Sequence, residues 1–258
     1  MAADHAVVDV FNRTGQGPFV IVCEHASNEM PPEFRRLGLD PKLLKAHIAW
    51  DPGARGVAEQ LARLLDAPMI MPRVSRLIHD CNRPQGSEDA IPVKSEIFEI
   101  PGNRNLTPEQ RQERGRRFYA PFHDALRQTI LDKSRSGLSP ILVTIHSFTP
   151  VFKGKERTVE LGILHDEDRR LADSILTIAE KKAEMVVGRN RPYGPADGVT
   201  HTLRVHALPL GLLNVMIEIK NDLIRDKTAQ ARMAKRLSRY LDEALTLTAP
   251  ENRVAGHA

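Results

Sequence analysis

Two histidines end apolar, β-branched runs that lie far apart in the chain. His25 sits in Cys-Glu-His-Ala-Ser-Asn after the run 19–23, and His146, followed by Ser147, closes the run 141–145. Buried strands deliver the residues that follow them to one carboxyl edge of a sheet, so two such runs would bring two imidazoles to one place, which is a common way to build a metal site. Asn28, three residues after His25, is a second ligand-capable side chain on the same segment. Asp51, in Ala-Trp-Asp-Pro-Gly, either caps the helix that follows or serves as a further metal ligand or as a partner that orients a ligating imidazole. Glu218 lies inside Val-Met-Ile-Glu-Ile-Lys-Asn-Asp, where an uncompensated carboxylate is costly. It must reach the strand's edge, find a partner or be strongly perturbed. A carboxylate beside a metal is what hydrolysis of an amide or ester requires, the metal acidifying a water and the carboxylate carrying its proton to the leaving nitrogen.

Other polar residues could hold a substrate. The stretches 80–105 and 188–203 are long and irregular, and loops of that length inside a compact domain are usually functional or disordered. They contain arginines, Tyr193 and His201, groups able to grip an anion. Arg76 is either a second anion contact or part of an ion pair. His201 and His206 either orient substrate and stabilise an oxyanion or simply tie down a loop. Ser27 and Ser147 adjoin the proposed site, but neither lies in a Gly-x-Ser-x-Gly elbow, which disfavours a serine hydrolase.

The elements that must position these residues alternate between strand and helix, the pattern of an α/β fold with a mostly parallel sheet covered on both faces. Strands are predicted at 20–23, 69–71, 141–145, 161–164 and 215–219, all short and apolar. Helices are predicted at 53–65, at 166–182 and at 226–247, each with an apolar stripe. A further helix is opened by Thr107 as N-cap with Pro108 and Gln110, and runs through 111–133 with a kink or break at Pro121. The polar tail after Pro250 is expected to fray. The 258 residues suffice for one domain, 1–258, with a sizeable core. A net charge of +4, with basic and acidic residues interspersed, argues against a dedicated nucleic-acid surface. Cys23 and Cys81 are too few for a disulfide framework. With no signal-peptide pattern and no long apolar run, the expectation is a soluble cytoplasmic protein with no membrane partner.

Taken in order, Glu-His-Ala-Ser-Asn, Ser-Arg-Leu-Ile-His-Asp-Cys-Asn-Arg, Ile-His-Ser-Phe-Thr-Pro and Ile-Glu-Ile-Lys-Asn-Asp-Leu-Ile resemble the N-formylglutamate amidohydrolase family, over roughly residues 20–240. The resemblance implies a three-layer αβα sandwich of the phosphorylase/hydrolase, zinc-exopeptidase type, and its layout is similar to that of the zinc carboxypeptidases. It makes His25 and His146 ligands of zinc or another divalent metal, Asn82 and Arg83 a clamp for the substrate carboxylate, and Glu218 the general base. The carboxypeptidase pattern has Glu where this chain has Asn28. An amide oxygen is the poorer zinc ligand, so the third ligand is open between Asn28 and Asp51. The implied activity is metal-dependent hydrolysis of a small anionic N-acyl amino acid, with N-formyl-L-glutamate as first choice. The alternatives are a non-catalytic sensor of an anionic metabolite and a carboxypeptidase acting on peptides.

Overall fold

In a computed structural model that describes residues 7–252, alternation of side chains along buried strands sets the architecture. The strands are β1 (Val8–Phe11), β2 (Phe19–Val22), β3 (Met69–Pro72), β4 (Lys94–Ser95), β5 (Phe98–Glu99), β6 (Ile141–Phe148), β7 (Val151–Phe152), β8 (Lys155–Glu156), β9 (Leu161–Leu164), β10 (Val187–Arg189) and β11 (Asn214–Lys220). The helices are α1 (Ala54–Leu64), α2 (Pro108–Arg114), α3 (Ala120–Arg135), α4 (Arg170–Lys182), α5 (His201–His206) and α6 (Lys227–Asn252). Seven strands form one sheet in the order β1-β3-β2-β6-β11-β9-β10. Its centre, β3-β2-β6-β11, is parallel, while β1 and β9 join antiparallel. The remaining four strands make two small hairpins, β4-β5 and β7-β8.

Ile21, Met69, Val143, Ile145, Val215 and Ile217 point to one face and pack with α1, α4 and α6, as in Val57, Leu61, Ile175 and Leu237. Val20, Val22, Ile70, Leu142 and Met216 point to the other, against Phe122, Leu126 and Ile130 of α3 and Leu203 of α5. Burial of that many aliphatic side chains, each worth about 1.5–3 kcal/mol, fixes strand register, because a one-residue slip would turn every core residue to the wrong face. This three-layer αβα sandwich with a mixed, mostly parallel sheet is the expected fold class.

The differences from expectation are local. β6 runs on to Phe148, so His146 lies within the strand and not beyond its end. Its side chain shares the α3/α5 face with Leu142, as parity requires. The edge strands β1 and β10, four and three residues long and only partly buried, carry no unbroken buried apolar run to show in the sequence. Thr107 and Gln110 form a full capping box with Pro108 in the first turn. The interruption expected at Pro121 is a π-helical turn, Gly115–Tyr119, which joins α2 to α3. Proline cannot donate to the ladder, and a change of hydrogen-bond register just before it accommodates the missing donor. α6 continues past Pro250 to Asn252; the rest of the tail, the first six residues and so the two ends of the domain expected at 1–258 lie outside the described residues. Cys23 and Cys81 are both free and buried. Among the described residues no helix is long and apolar enough to cross a membrane.

Candidate active site

Three of the singled-out side chains converge. His25 leaves the end of β2, Asp51 stands ahead of α1, and His146 projects from β6. His25 Nδ1 is 3.2 Å from His146 Nδ1 and 3.3 Å from Asp51 Oδ2, and His146 Nδ1 is 3.0 Å from the same oxygen. All three residues are buried. Asp51 does not cap α1 with its side chain, since Gly53 occupies the N-cap in a left-handed conformation. Its Oδ2 instead also accepts the Ser147 backbone N–H at 3.2 Å.

The far side of each imidazole also faces a carboxylate. His25 Nε2 is 2.8 Å from Asp80 Oδ1, and His146 Nε2 is 3.0 Å from Glu24 Oε2, although the angle there departs from that of a hydrogen bond. The tautomer with its proton on Nε2, directed toward Asp80 or Glu24, leaves each Nδ1 a lone pair. Two nitrogen lone pairs and a carboxylate oxygen then face one another, an arrangement that is repulsive unless a positive charge stands among them. Three ligands bound at about 2.0–2.2 Å to one tetrahedral ion lie roughly 3.3 Å from each other. The observed spacing and the two-imidazole, one-carboxylate donor set therefore fit a divalent cation. Further buried atoms without a hydrogen bond gather at the same place: both Glu24 carboxylate oxygens, Asp51 Oδ1, His47 Nδ1 and Glu218 Oε2.

Glu218 is placed by register. It pairs with His146 across β11 and β6 and with Gly162 across β11 and β9, so its side chain rises on the same face as His146. Gly162 makes room: a Cβ there would stand 2.0 Å from the Arg191 carbonyl oxygen and 3.1 Å from the Glu218 Cβ. Burial raises the Glu218 carboxyl to about 7, with His146 pulling it down and Asp51 pushing it up. The neighbouring carboxyls go the other way. Burial opposes ionisation of Asp51 and Asp80, but His25 at the first and Arg76 at the second outweigh it and hold both well below the usual carboxylate range. A carboxyl poised near neutrality beside two that are firmly ionised is the pattern that separates a proton carrier from fixed ligands and orienting groups.

His25, Asp51, His146 and Glu218 line one cavity of about 440 Å³, with Arg83 and Lys94 among the residues on its wall. Arg83 donates from Nη1 to the carbonyls of Asn82 and Gly198 at 2.8 and 3.2 Å, which leaves its other nitrogens available. Asn82 is also on the wall, but its amide is committed: Nδ2 donates to Val199 O at 2.6 Å, and Oδ1 accepts from Thr202 N and Oγ1. It anchors the 199–202 segment. Arg76 borders the cavity as an ion-pair partner, with Nε 3.0 Å from Asp80 Oδ2 and Nη1 3.7 Å from Asp51 Oδ1.

Two residues lie away from the expected positions. Asn28 does not join the cluster or the cavity wall; its Nδ2 donates to the Leu44 carbonyl at 2.8 Å, and Asp51 supplies the oxygen beside the imidazoles. His201 also lies off the cavity wall, with Nε2 2.8 Å from the Tyr119 hydroxyl. Conversely, Glu24, Asp80 and His47 carry no assigned role in the sequence reading. Glu24 and Asp80 adjoin recognised residues, one before His25 and one two before Asn82, and a buried ligating histidine needs an acceptor for its second nitrogen. That requirement was the available signal.

A family model described as N-formylglutamate amidohydrolase matches residues 17–225. A crystal structure of a gene product of Agrobacterium tumefaciens is 51% identical, with a TM-score of 0.91, over 93% of this chain and 95% of that one. The crystal structure of N-formylglutamate amidohydrolase from Ralstonia eutropha JMP134 superposes with a TM-score of 0.61 over 96% of this chain and 99% of that one, at 17% identity, a likeness of fold. No curated protein matches the chain.

Proposed function

The chain belongs to the N-formylglutamate amidohydrolase family, and from that premise we propose that it is a metal-dependent hydrolase of a small N-acyl amino acid, with N-formyl-L-glutamate as first choice. Water and the formamide give formate and L-glutamate. The observation that carries this reading is the convergence of His25 Nδ1, His146 Nδ1 and Asp51 Oδ2 within 3.3 Å of one another beside the buried Glu218.

His25, His146 and Asp51 would hold zinc or a similar divalent ion. When bound, that ion supplies Lewis acidity to the scissile carbonyl and to a water. Asp80 and Glu24 keep the imidazole protons on Nε2, so that both Nδ1 lone pairs face inward. Glu218 takes the proton of the attacking water on a carboxylate oxygen and passes it to the departing amide nitrogen, a task suited to a carboxyl whose affinity for protons has been raised toward neutrality. Arg83, with Lys94 on the same wall, binds substrate carboxylate and thereby sets the carbonyl over the reacting groups. Asn82 holds the 199–202 segment behind that arginine. A cavity of about 440 Å³ is of the size that small molecules occupy.

Zinc-loaded protein assayed with N-formyl-L-glutamate, N-acetyl-L-glutamate, N-formyl-L-leucine and short peptides tests this. The expected result is release of formate from N-formyl-L-glutamate above the other substrates, lost on chelation. Glu218→Gln should lower kcat by at least about 10³-fold while one metal per chain is retained. Wild-type turnover in that variant would rule out the role assigned to Glu218, and cleavage of peptides alone would replace the substrate class.

A further inference from the structure

Arg157, between β8 and β9, is a half-buried cation whose guanidinium bonds to Thr149 and Tyr193 and to no carboxylate among the described residues. Its guanidinium carbon lies 4.6, 4.9 and 5.3 Å from the ring centroids of Phe152, Tyr193 and Phe148. Nη1 donates to the Thr149 carbonyl at 3.2 Å and Nη2 donates to the Tyr193 hydroxyl at 2.8 Å. Three aromatic faces around one guanidinium hold it in place and replace part of its lost hydration. Tyr193 lines the same cavity as Glu218, His25 and His146. Since its oxygen accepts from Arg157, its own proton is free to be donated, and that proton has no acceptor among the described residues. The phenol thus carries the influence of a guanidinium that is itself off the cavity wall into the cavity.

Resting on the hydrolase reading above, we propose that Tyr193 is a catalytic residue whose hydroxyl donates a hydrogen bond to the oxygen of the scissile carbonyl as negative charge develops there, and that Arg157 is the positioning residue that aims it. No proton is transferred; the hydroxyl remains intact through the reaction. Tyr193 shares the cavity wall with Asp51 and Glu218 as well as with the two imidazoles, so its hydroxyl opens on the space in which the substrate carbonyl would lie. Burial, opposed by Arg157, raises the Tyr193 pKa, so the group stays a donor at neutral pH. A donor aimed where charge appears only in the transition state accelerates turnover without tightening substrate binding.

The test is Tyr193→Phe, which keeps the ring against Arg157 and removes the hydroxyl. With zinc-loaded protein and N-formyl-L-glutamate, kcat should fall about 10²–10³-fold with KM nearly unchanged, while L-glutamate binding by calorimetry and zinc content stay at wild-type values. Arg157→Met should lower kcat by a smaller factor, and the double variant should be no slower than Tyr193→Phe alone, since Arg157 acts through the hydroxyl. Unchanged kcat in Tyr193→Phe, a loss confined to KM and glutamate affinity, or additive losses in the double variant would overturn the proposal. A wild type that hydrolyses none of the N-acyl amino acids would overturn this inference together with the function it rests on, whereas an active wild type beside a fully active Tyr193→Phe overturns this inference alone.

Discussion

In the proposed mechanism Glu218 carries the proton, and its environment has a thermodynamic signature separate from catalysis. Its carboxyl titrates at about 7 in the folded chain without metal, against 4.5 for the free side chain. The folded state therefore binds this proton more tightly than the unfolded state. The resulting stabilisation is fully present below about pH 4.5 and is lost as pH rises through about 7. Glu218→Gln removes this pH dependence. Urea unfolding of chelator-treated protein should show the stability difference between variant and wild type shifting in the variant's favour from pH 5 to pH 8, by up to about 3 kcal/mol. An identical difference at both pH values would mean that Glu218 is not perturbed. The same residue illustrates what could be read beforehand: a lone carboxylate in an apolar run has few physical excuses, and His25 and His146 are marked by the apolar runs they end, whereas Asp51 before Pro-Gly reads equally well as a helix cap. Asn28 did not follow, because a local amide found a nearer partner in the Leu44 carbonyl, an acceptor that sequence spacing does not reveal.

At the level of elements, the site depends on three adjacent strands being in register. Glu218 faces His146 on one side and the bare backbone of Gly162 on the other. Gly162→Ala should therefore destabilise the fold by about 1–3 kcal/mol or more, since the new methyl would meet the Arg191 carbonyl oxygen at 2.0 Å, and it should impair turnover as well by displacing Glu218. A thermal unfolding midpoint and kcat both at wild-type values would show that the backbone yields there. The five central strands and the amphipathic helices could be predicted because apolar periodicity is set by the very burial it causes. The edge strands β1 and β10 and the two hairpins could not, because they are only partly buried or exposed and so lack the unbroken apolar run that marks the equally short β2, β3 and β9. The hairpins matter all the same, since Lys94 and Ser95 of β4 and Phe152 of β7 border the cavity.

For the whole molecule, the sandwich gathers residues 25, 51, 146 and 218 from four separate segments at one end of a parallel sheet, where strand ends and the loops after them meet. α1, α4 and α6 close one face and α3 and α5 the other, so the polar cluster is backed by buried apolar residues while its front opens on the cavity. Convergence of His25, His146 and Asp51 on one cation is the claim from which the function follows. Its most direct measurement is an anomalous difference map at the zinc absorption edge from crystals of the zinc-loaded protein. The account predicts a single strong peak about 2.0–2.2 Å from His25 Nδ1, His146 Nδ1 and an Asp51 carboxylate oxygen. No peak among these three residues, or one coordinated through Asn28 with Asp51 turned away, would contradict it.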